Sequence, residues 1–186
     1  MIFLAGVHGV GKTTLCKEIE NTLNVPCYTA SALIERFSDV KMNADKRVES
    51  IADNQQILLR AVQCLQSGHE FILEGHLCLL NGEAQVQRIG LKIFTELAPT
   101  AIFILIADEK EICRRNHEKS GILEDRSFIR YFQEQEIAFG QELAEKLGIP
   151  VREINAENGV LQSAVANGHW CGGKRPQCGA PAASLS

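Results

Sequence analysis

A short apolar run that passes directly into a glycine-rich loop constrains this chain more than any other feature. Ile2 to Ala5 carries no polar interruption, the mark of a strand buried on both faces of a parallel sheet. It leads into Gly6-Val7-His8-Gly9-Val10-Gly11-Lys12-Thr13, which fits the phosphate-binding pattern GxxxxGK[ST] at every fixed position. Glycine at these places lets consecutive backbone N–H groups turn inward toward phosphate oxygens. A helix starting near Lys12 adds the positive end of its dipole. Lys12 is expected to reach the β- and γ-phosphates from a solvated loop, and the Thr13 hydroxyl to ligate Mg²⁺. The residues expected at the triphosphate are Gly6, His8, Gly9, Val10, Gly11, Lys12, Thr13 and Thr14. A chance glycine-rich turn is set aside because strand, loop and helix occur in the required order.

The chain has 186 residues, enough for one domain with a sizeable core. A net charge of −4 argues against a general nucleic-acid binder, so no specific nucleic acid is expected as a partner. Seven cysteines are an odd number at scattered spacing. Beside a nucleotide-binding motif they indicate free thiols in a reducing cytoplasm rather than a disulfide scaffold. Cys16, Cys64, Cys78 and Cys113 fall in apolar stretches and are expected to be small core residues. The N-terminus reads as strand and loop from the outset, so no signal peptide is expected. No apolar run approaches ~18 residues, so no membrane span is expected.

Beyond the loop, Thr13 to Leu23 reads as a helix ending at Asn24, followed by a short strand around Val25 to Tyr28. Pro26 marks that strand as an edge. Thr29 or Ser31 caps a helix through Phe37, and a long helix spans roughly 46–66. Glu70 to Leu73 returns to strand; 77–88 has no clean period, with a turn at Asn81-Gly82. Ile89 to Leu97 is helical, and Ala101 to Ala107 is the most hydrophobic run and an interior strand. Asp108 caps the next helix. A further helix, Ser127 to Leu147, stripes Phe128, Phe132, Phe139, Leu143 and Leu147 along one side, and Ile149 to Ile154 is the last strand. Alternating strands and helices imply a parallel α/β sheet whose ligands gather at the strands' carboxyl ends. Those ends carry Gly6, Tyr28, Glu74, Asp108 and Asn155. Residues 1–167 form the domain; 168–186, rich in Gly, Ala, Pro and Ser, reads as a flexible tail. His169, Cys171 and Cys178 within it match no four-ligand zinc spacing.

Glu74 ends a buried strand and admits three roles: Mg²⁺ ligand, general base for a hydroxyl acceptor, or loop capping. His76 reads as a hydrogen-bonding structural histidine. Residues 110–130 hold six of the nineteen lysines and arginines, interleaved with acidic residues. Guanidinium groups are suited to the charge that spreads over a transferring phosphoryl group, and a short arginine-bearing lid meets that need. A solvated helix face is the alternative for any one of them.

The chain resembles the nucleoside monophosphate kinases, most of all the archaeal-type adenylate kinases and small ATP-binding proteins related to them. The stretches GVHGVGKTT, TASALIER, FILEGHLCLL with ELAPTAIFILIADEKEICRR, and EDRSFIRYFQEQEIAFGQELAEKLGIPVREI carry the resemblance. It implies a P-loop NTPase three-layer fold with a five-stranded parallel sheet ordered 2-3-1-4-5. It further implies an acceptor-binding helical region at 29–67 and a lid at 114–126. Arg115 and Arg126 match the family's arginines, although Asp125-Arg126 inverts the usual order. Glu74 stands where an aspartate is customary, and Arg36 is one position from the usual acceptor-phosphate arginine.

The resulting expectation is a kinase moving the γ-phosphoryl of ATP to a small acceptor, a nucleotide first of all. Lys12, Arg115, Arg126 and Glu74 are the catalytic candidates, and Thr13 and Glu74 the Mg²⁺ ligands. A hydroxyl acceptor with Glu74 as base, and a regulatory ATPase with no acceptor, are the alternatives. No NKxD guanine-specificity motif is present. Because the tail lacks a hydrophobic period, deleting residues 170–186 should leave melting temperature and ATP affinity nearly unchanged. A large fall in melting temperature would instead place Trp170 or the tail cysteines against the domain.

Overall fold

The structure is a computed structural model, and it describes residues 1–38, 51–65 and 70–157. The tail expected at 168–186 and the two ends of the helix expected at 46–66 lie outside the described residues. Strand β1 (Ile2–Ala5) is the apolar run, buried from Phe3 onward. Helix α1 (Lys12–Leu23) starts at the loop lysine and ends at Asn24, which takes the left-handed conformation and donates its N–H to the Glu20 carbonyl. β2 (Cys27–Thr29) and α2 (Ala30–Ser38) follow, and the Thr29 hydroxyl accepts from the Ala32 N–H at 3.2 Å as the cap. α3 (Ile51–Leu65) packs on α2, and β3 (Ile72–Glu74) is fully buried.

Residues 77–88, which showed no period, form an antiparallel hairpin of β4 (Cys78–Leu80) and β5 (Val86–Arg88). Each strand is only three residues long, too short for an alternation to register. The turn is built by Asn81, whose Oδ1 accepts from the Glu83 and Gln85 N–H groups at 2.9 Å each. α4 (Leu91–Leu97), β6 (Ala101–Ile106) and α5 (Glu109–Ser120) come next, with the Asp108 carboxylate capping α5 at the Lys110 N–H, 2.8 Å. α6 (Arg126–Leu147) and β7 (Val151–Asn155) complete the described chain.

The five long-range strands pair in parallel in the order β2-β3-β1-β6-β7. Counting only the strands of this sheet along the chain, the order is 2-3-1-4-5, and the α/β fold is the one expected. β2 is an edge, consistent with Pro26. Leu4 is level with Glu74 in β3 and with Phe103 in β6. This register brings Gly6, the end of β3 and the start of α5 to one side of the sheet. Phe94 of α4 meets Phe3 of β1 edge-on at 5.3 Å and Phe139 of α6 at 6.1 Å, so α4 and α6 share one face. Cys16 and Cys78 are buried, as expected, and Cys113 is half-buried. Cys64 is exposed, a correction: it falls on the solvent side of α3 in its last turn. Among the described residues no helix is long and apolar enough to cross a membrane.

The distance of α6 from the sheet is set at Gly140. A Cβ there would lie 2.4 Å from Ile104 Cδ1 and 3.0 Å from Leu77 Cδ1. Gly140→Val should therefore cost about 1–3 kcal/mol by overpacking, despite valine's better helix propensity. Urea unfolding measures this; an unchanged midpoint would mean that helix and sheet do not approach closest here.

Candidate functional site

The loop between β1 and α1 depends on backbone that only glycine adopts easily. Gly6 has φ 141°, and a Cβ on it would sit 2.6 Å from the Leu105 carbonyl oxygen of β6. Gly11, with φ 111°, is the N-cap of α1, and no acidic side chain occupies that helix's first turn. The positive end of the helix is left to the loop.

Lys12 departs from expectation. It is the first residue of α1, only 6% exposed, and not in a solvated loop. Its ammonium donates to the Gly6 carbonyl at 2.6 Å and the Val7 carbonyl at 3.0 Å. Burial lowers its pKa to about 8, against the pull of Glu74 and Glu136. The loop wraps over the side chain because its carbonyls need a donor, and a sequence motif does not show that.

Glu74, 9% exposed, accepts from the Thr13 hydroxyl at 3.1 and 3.2 Å through its two oxygens. The structure thus joins two residues sixty-one positions apart at the end of β3. A hydroxyl and a carboxylate are hard oxygen donors, the set Mg²⁺ takes together with phosphate oxygens and water. Among the described residues no cluster of three or more His, Cys, Asp or Glu forms a protein-only metal site. The Thr13 and Glu74 oxygens fit a Mg²⁺ that takes its remaining ligands from phosphate and water.

Glu136 was missed. It is 1% exposed in the middle of α6, accepting from the Leu77 N–H at 3.0 Å and the Cys78 N–H at 2.8 Å. Burial raises its pKa to about 7, while the two amides and the Lys12 charge oppose the rise. A signal was available: position 136 falls between Phe132 and Phe139 on the apolar stripe, where a carboxylate needs a reason. His76 packs beside it, its Nδ1 buried without a hydrogen-bond partner and 4.0 Å from Glu136 Oε1. The imidazole of His76 lies against that of His8, with centroids 4.3 Å apart and planes tilted by 43°. Burial and the nearby Lys12 charge lower the His76 pKa to about 3, so the ring is neutral. Only Nδ1 is left without a partner; a backbone hydrogen bond at Gly6 acts on the ring against the lowering.

The basic segment divides by position. Arg114 is held on the surface by Glu111 and Glu118, and Arg130 by Glu109. Arg115 turns inward: its Nη1 donates to the Val10 carbonyl at 3.1 Å and its Nε to Glu111 at 2.9 Å. Arg126 is exposed at the start of α6 and does not line the cavity. Residues 114–120 continue α5, and 121–125 connect it to α6. Asn116, another residue missed, ties this connection to the loop through Glu124 at 2.5 Å and the His8 carbonyl at 3.4 Å. Lys12, Thr13, Thr14, Glu74, Arg115 and His76 all line one cavity of about 660 Å³.

The sequence pattern of the AAA domain family matches residues 5–128, more than half of the chain. The chain belongs to the AAA domain family. This AAA domain shares its fold with a shikimate kinase from Bacteroides thetaiotaomicron at 18% identity. The likeness covers 89% of this chain and 94% of that one, with a TM-score of 0.55. It likewise resembles the YorR protein from Bacillus subtilis, solved in complex with phosphorylated GDP. There the identity is 14%, the coverage 89% and 93%, and the TM-score 0.54. Identities this low speak for the fold alone. The search of curated proteins found none that matches this chain in sequence.

The buried Glu136 makes stability depend on pH with a definite sign. Its carboxyl ionises near 4.5 when unfolded and about 7 when folded, so the folded state keeps the proton longer. Its contribution is present below 4.5 and is lost as pH rises through 7, by ~3 kcal/mol. Glu136→Gln should flatten that fall. Denaturation midpoints of both proteins on either side of this window measure it; parallel curves would mean that Glu136 ionises normally.

Proposed function

We propose that this protein is a phosphotransferase that moves the γ-phosphoryl group of ATP to a small acceptor. The observation that carries the reading is the meeting of four elements in one cavity. These are a glycine loop opening helix α1, the buried Lys12 ammonium, the Thr13–Glu74 oxygen pair, and the inward Arg115. The loop amides from Gly6 to Thr14, with His8 and Val10 among them, hold the phosphates. Lys12 and Arg115 neutralise charge on the transferring group. Thr13 and Glu74 would hold Mg²⁺, which would draw off charge from the phosphates when bound.

Residues 114–126 act as the lid and 29–67 as the acceptor side in this reading. Arg126 joins the transferring group when the 121–125 connection folds over the cavity. The nucleoside monophosphate acceptor and the kinship with archaeal-type adenylate kinases come from the sequence resemblance. The free thiols of Cys16, Cys27, Cys64, Cys78 and Cys113 suit the reducing cytoplasm. ADP release with ATP and Mg²⁺ across a panel of nucleotides, nucleosides and small alcohols tests the proposal. Hydrolysis indifferent to every acceptor would favour the regulatory ATPase.

Lys12 gives a second, independent readout. Its pKa is about 8, and triphosphate oxygens raise it, so ATP binding near that pH should take up protons and at lower pH should not. Calorimetry in buffers of different ionisation enthalpy measures the uptake. Lys12→Ala should abolish it and lower turnover on the order of 10²-fold or more. Equal uptake in both proteins would remove Lys12 from the phosphate site.

A further inference from the structure

We propose that Cys16 and Cys27 form an oxidation site, in which a hydroperoxide converts their two thiols into a disulfide that joins α1 to β2. Cys16 lies in the middle of α1 and Cys27 is the first residue of β2, so a bridge between them closes a short loop through Asn24 and Pro26. That loop is already fixed at two points. Asn24 donates to the Glu20 carbonyl, and the Cys27 N–H donates to Glu20 Oε1 at 3.0 Å. The Cys27 thiol points at α1, its Sγ 3.5 Å from the Cys16 carbonyl oxygen and 3.8 Å from that of Val25. The two thiols also interact directly. The Cys27 thiol, ahead of burial, pushes the Cys16 thiol well above its ordinary range. A disulfide needs Cα atoms no more than about 7 Å apart and side chains turned toward each other. A sulfur that touches the other cysteine's own carbonyl, with its thiol facing the other thiol, leaves little distance to close.

The two sulfurs differ in access. Cys16 is 5% exposed, whereas Cys27 is half-buried. Oxidation follows exposure, so Cys27 reacts first. Its sulfur attacks one oxygen of hydrogen peroxide, the O–O bond breaks, and Cys27 becomes a sulfenic acid as water leaves. The Cys16 sulfur then attacks the Cys27 sulfur. The S–S bond forms, the S–O bond breaks, and the departing hydroxide takes the Cys16 proton as a second water. Each thiol gives up one electron, and the peroxide is reduced to two waters. A thiol reductant opens the bridge again by exchange.

The bridge lies behind the phosphate site. Cys16 follows Thr13 by three residues and so shares its side of α1. Cys27 and Thr29 point to one face of β2, and Thr29 is level with Glu74 in β3 and lines the cavity. An S–S bond of about 2.0 Å is shorter than any contact between unbonded sulfurs, so forming it draws α1 and β2 together next to the Thr13–Glu74 pair. ATP turnover should therefore fall in the oxidised protein. This consequence, unlike the bridge itself, rests on the phosphotransferase reading above.

The test treats the reduced full chain with hydrogen peroxide, blocks the remaining thiols with N-ethylmaleimide and maps tryptic peptides by mass spectrometry. Cleavage after Lys12, Lys17 and Arg36 puts Cys16 and Cys27 on separate peptides, 13–17 and 18–36. These two should be found joined, with the loss of two hydrogens, and should separate in dithiothreitol. In Cys16→Ala, dimedone should label Cys27 as the sulfenic acid; in Cys27→Ser, the Cys16 thiol should stay unlabelled. ATP turnover should fall ~10-fold on oxidation, recover in dithiothreitol, and hold constant in Cys27→Ser under the same treatment. Alkylation of both thiols after peroxide, or disulfides from either to another cysteine, would overturn the oxidation site. A fall in turnover that persists in Cys27→Ser would overturn its link to the phosphate site. A mapped bridge in a chain that turns over no ATP even when reduced would uphold the oxidation site and overturn the phosphotransferase reading instead.

Discussion

Lys12 carries its ammonium group into a position from which water is nearly excluded, and the oxygens it reaches are carbonyls of its own loop. A charge buried this way must be hydrogen-bonded and balanced, or it loses its proton. Two carboxylates supply the balance from different directions: Glu74 at the end of β3 and Glu136 in the middle of α6. The loop can close over the lysine only because Gly6 passes against the Leu105 carbonyl, where a side chain has no room. Strand register, the close approach of α6 and the shape of the loop are therefore conditions of one another.

Glu136 connects the phosphate loop to the rest of the molecule. It holds the Leu77 and Cys78 amides at the point where β3 gives way to the β4–β5 hairpin. It also packs against His76, whose ring lies against that of His8 in the loop. On the other flank, Asn116 and Glu124 draw the α5–α6 connection onto the His8 carbonyl. The loop is thus braced from both sides by residues that no phosphate-binding motif includes. Among the described residues, α2 and α3 contribute Ser31, Ile34, Asn54, Gln55 and Leu58 to the cavity wall.

The resemblance to nucleoside monophosphate kinases carries the expectation of a nucleotide acceptor. The resemblance rests on the strands, the loop and the positions of basic residues, features that any phosphoryl donor site of this fold needs. In the proposed function, acceptor choice falls to side chains of α2 and α3, where Arg36 departs from the family pattern. Fold and donor chemistry are shared widely within such architectures, whereas the acceptor pocket is built separately on them.

What was legible in the chain was what local chemistry dictates. Apolar runs too continuous for a surface became β1, β3 and β6, and the caps at Thr29, Asp108 and Gly148 lay within a residue or two of the elements they end. The glycine spacing announced the loop because its φ angles exclude other residues. The hairpin at 78–88 escaped because three-residue strands carry no period. The burial of Lys12, the inward turn of Arg115 with Arg114 held outside, and the burial of Glu136 against the Leu77 and Cys78 amides were decided only by tertiary structure. Exposure and pKa belong to the surroundings that other segments provide, and a side chain's own sequence neighbours do not fix which segments those are.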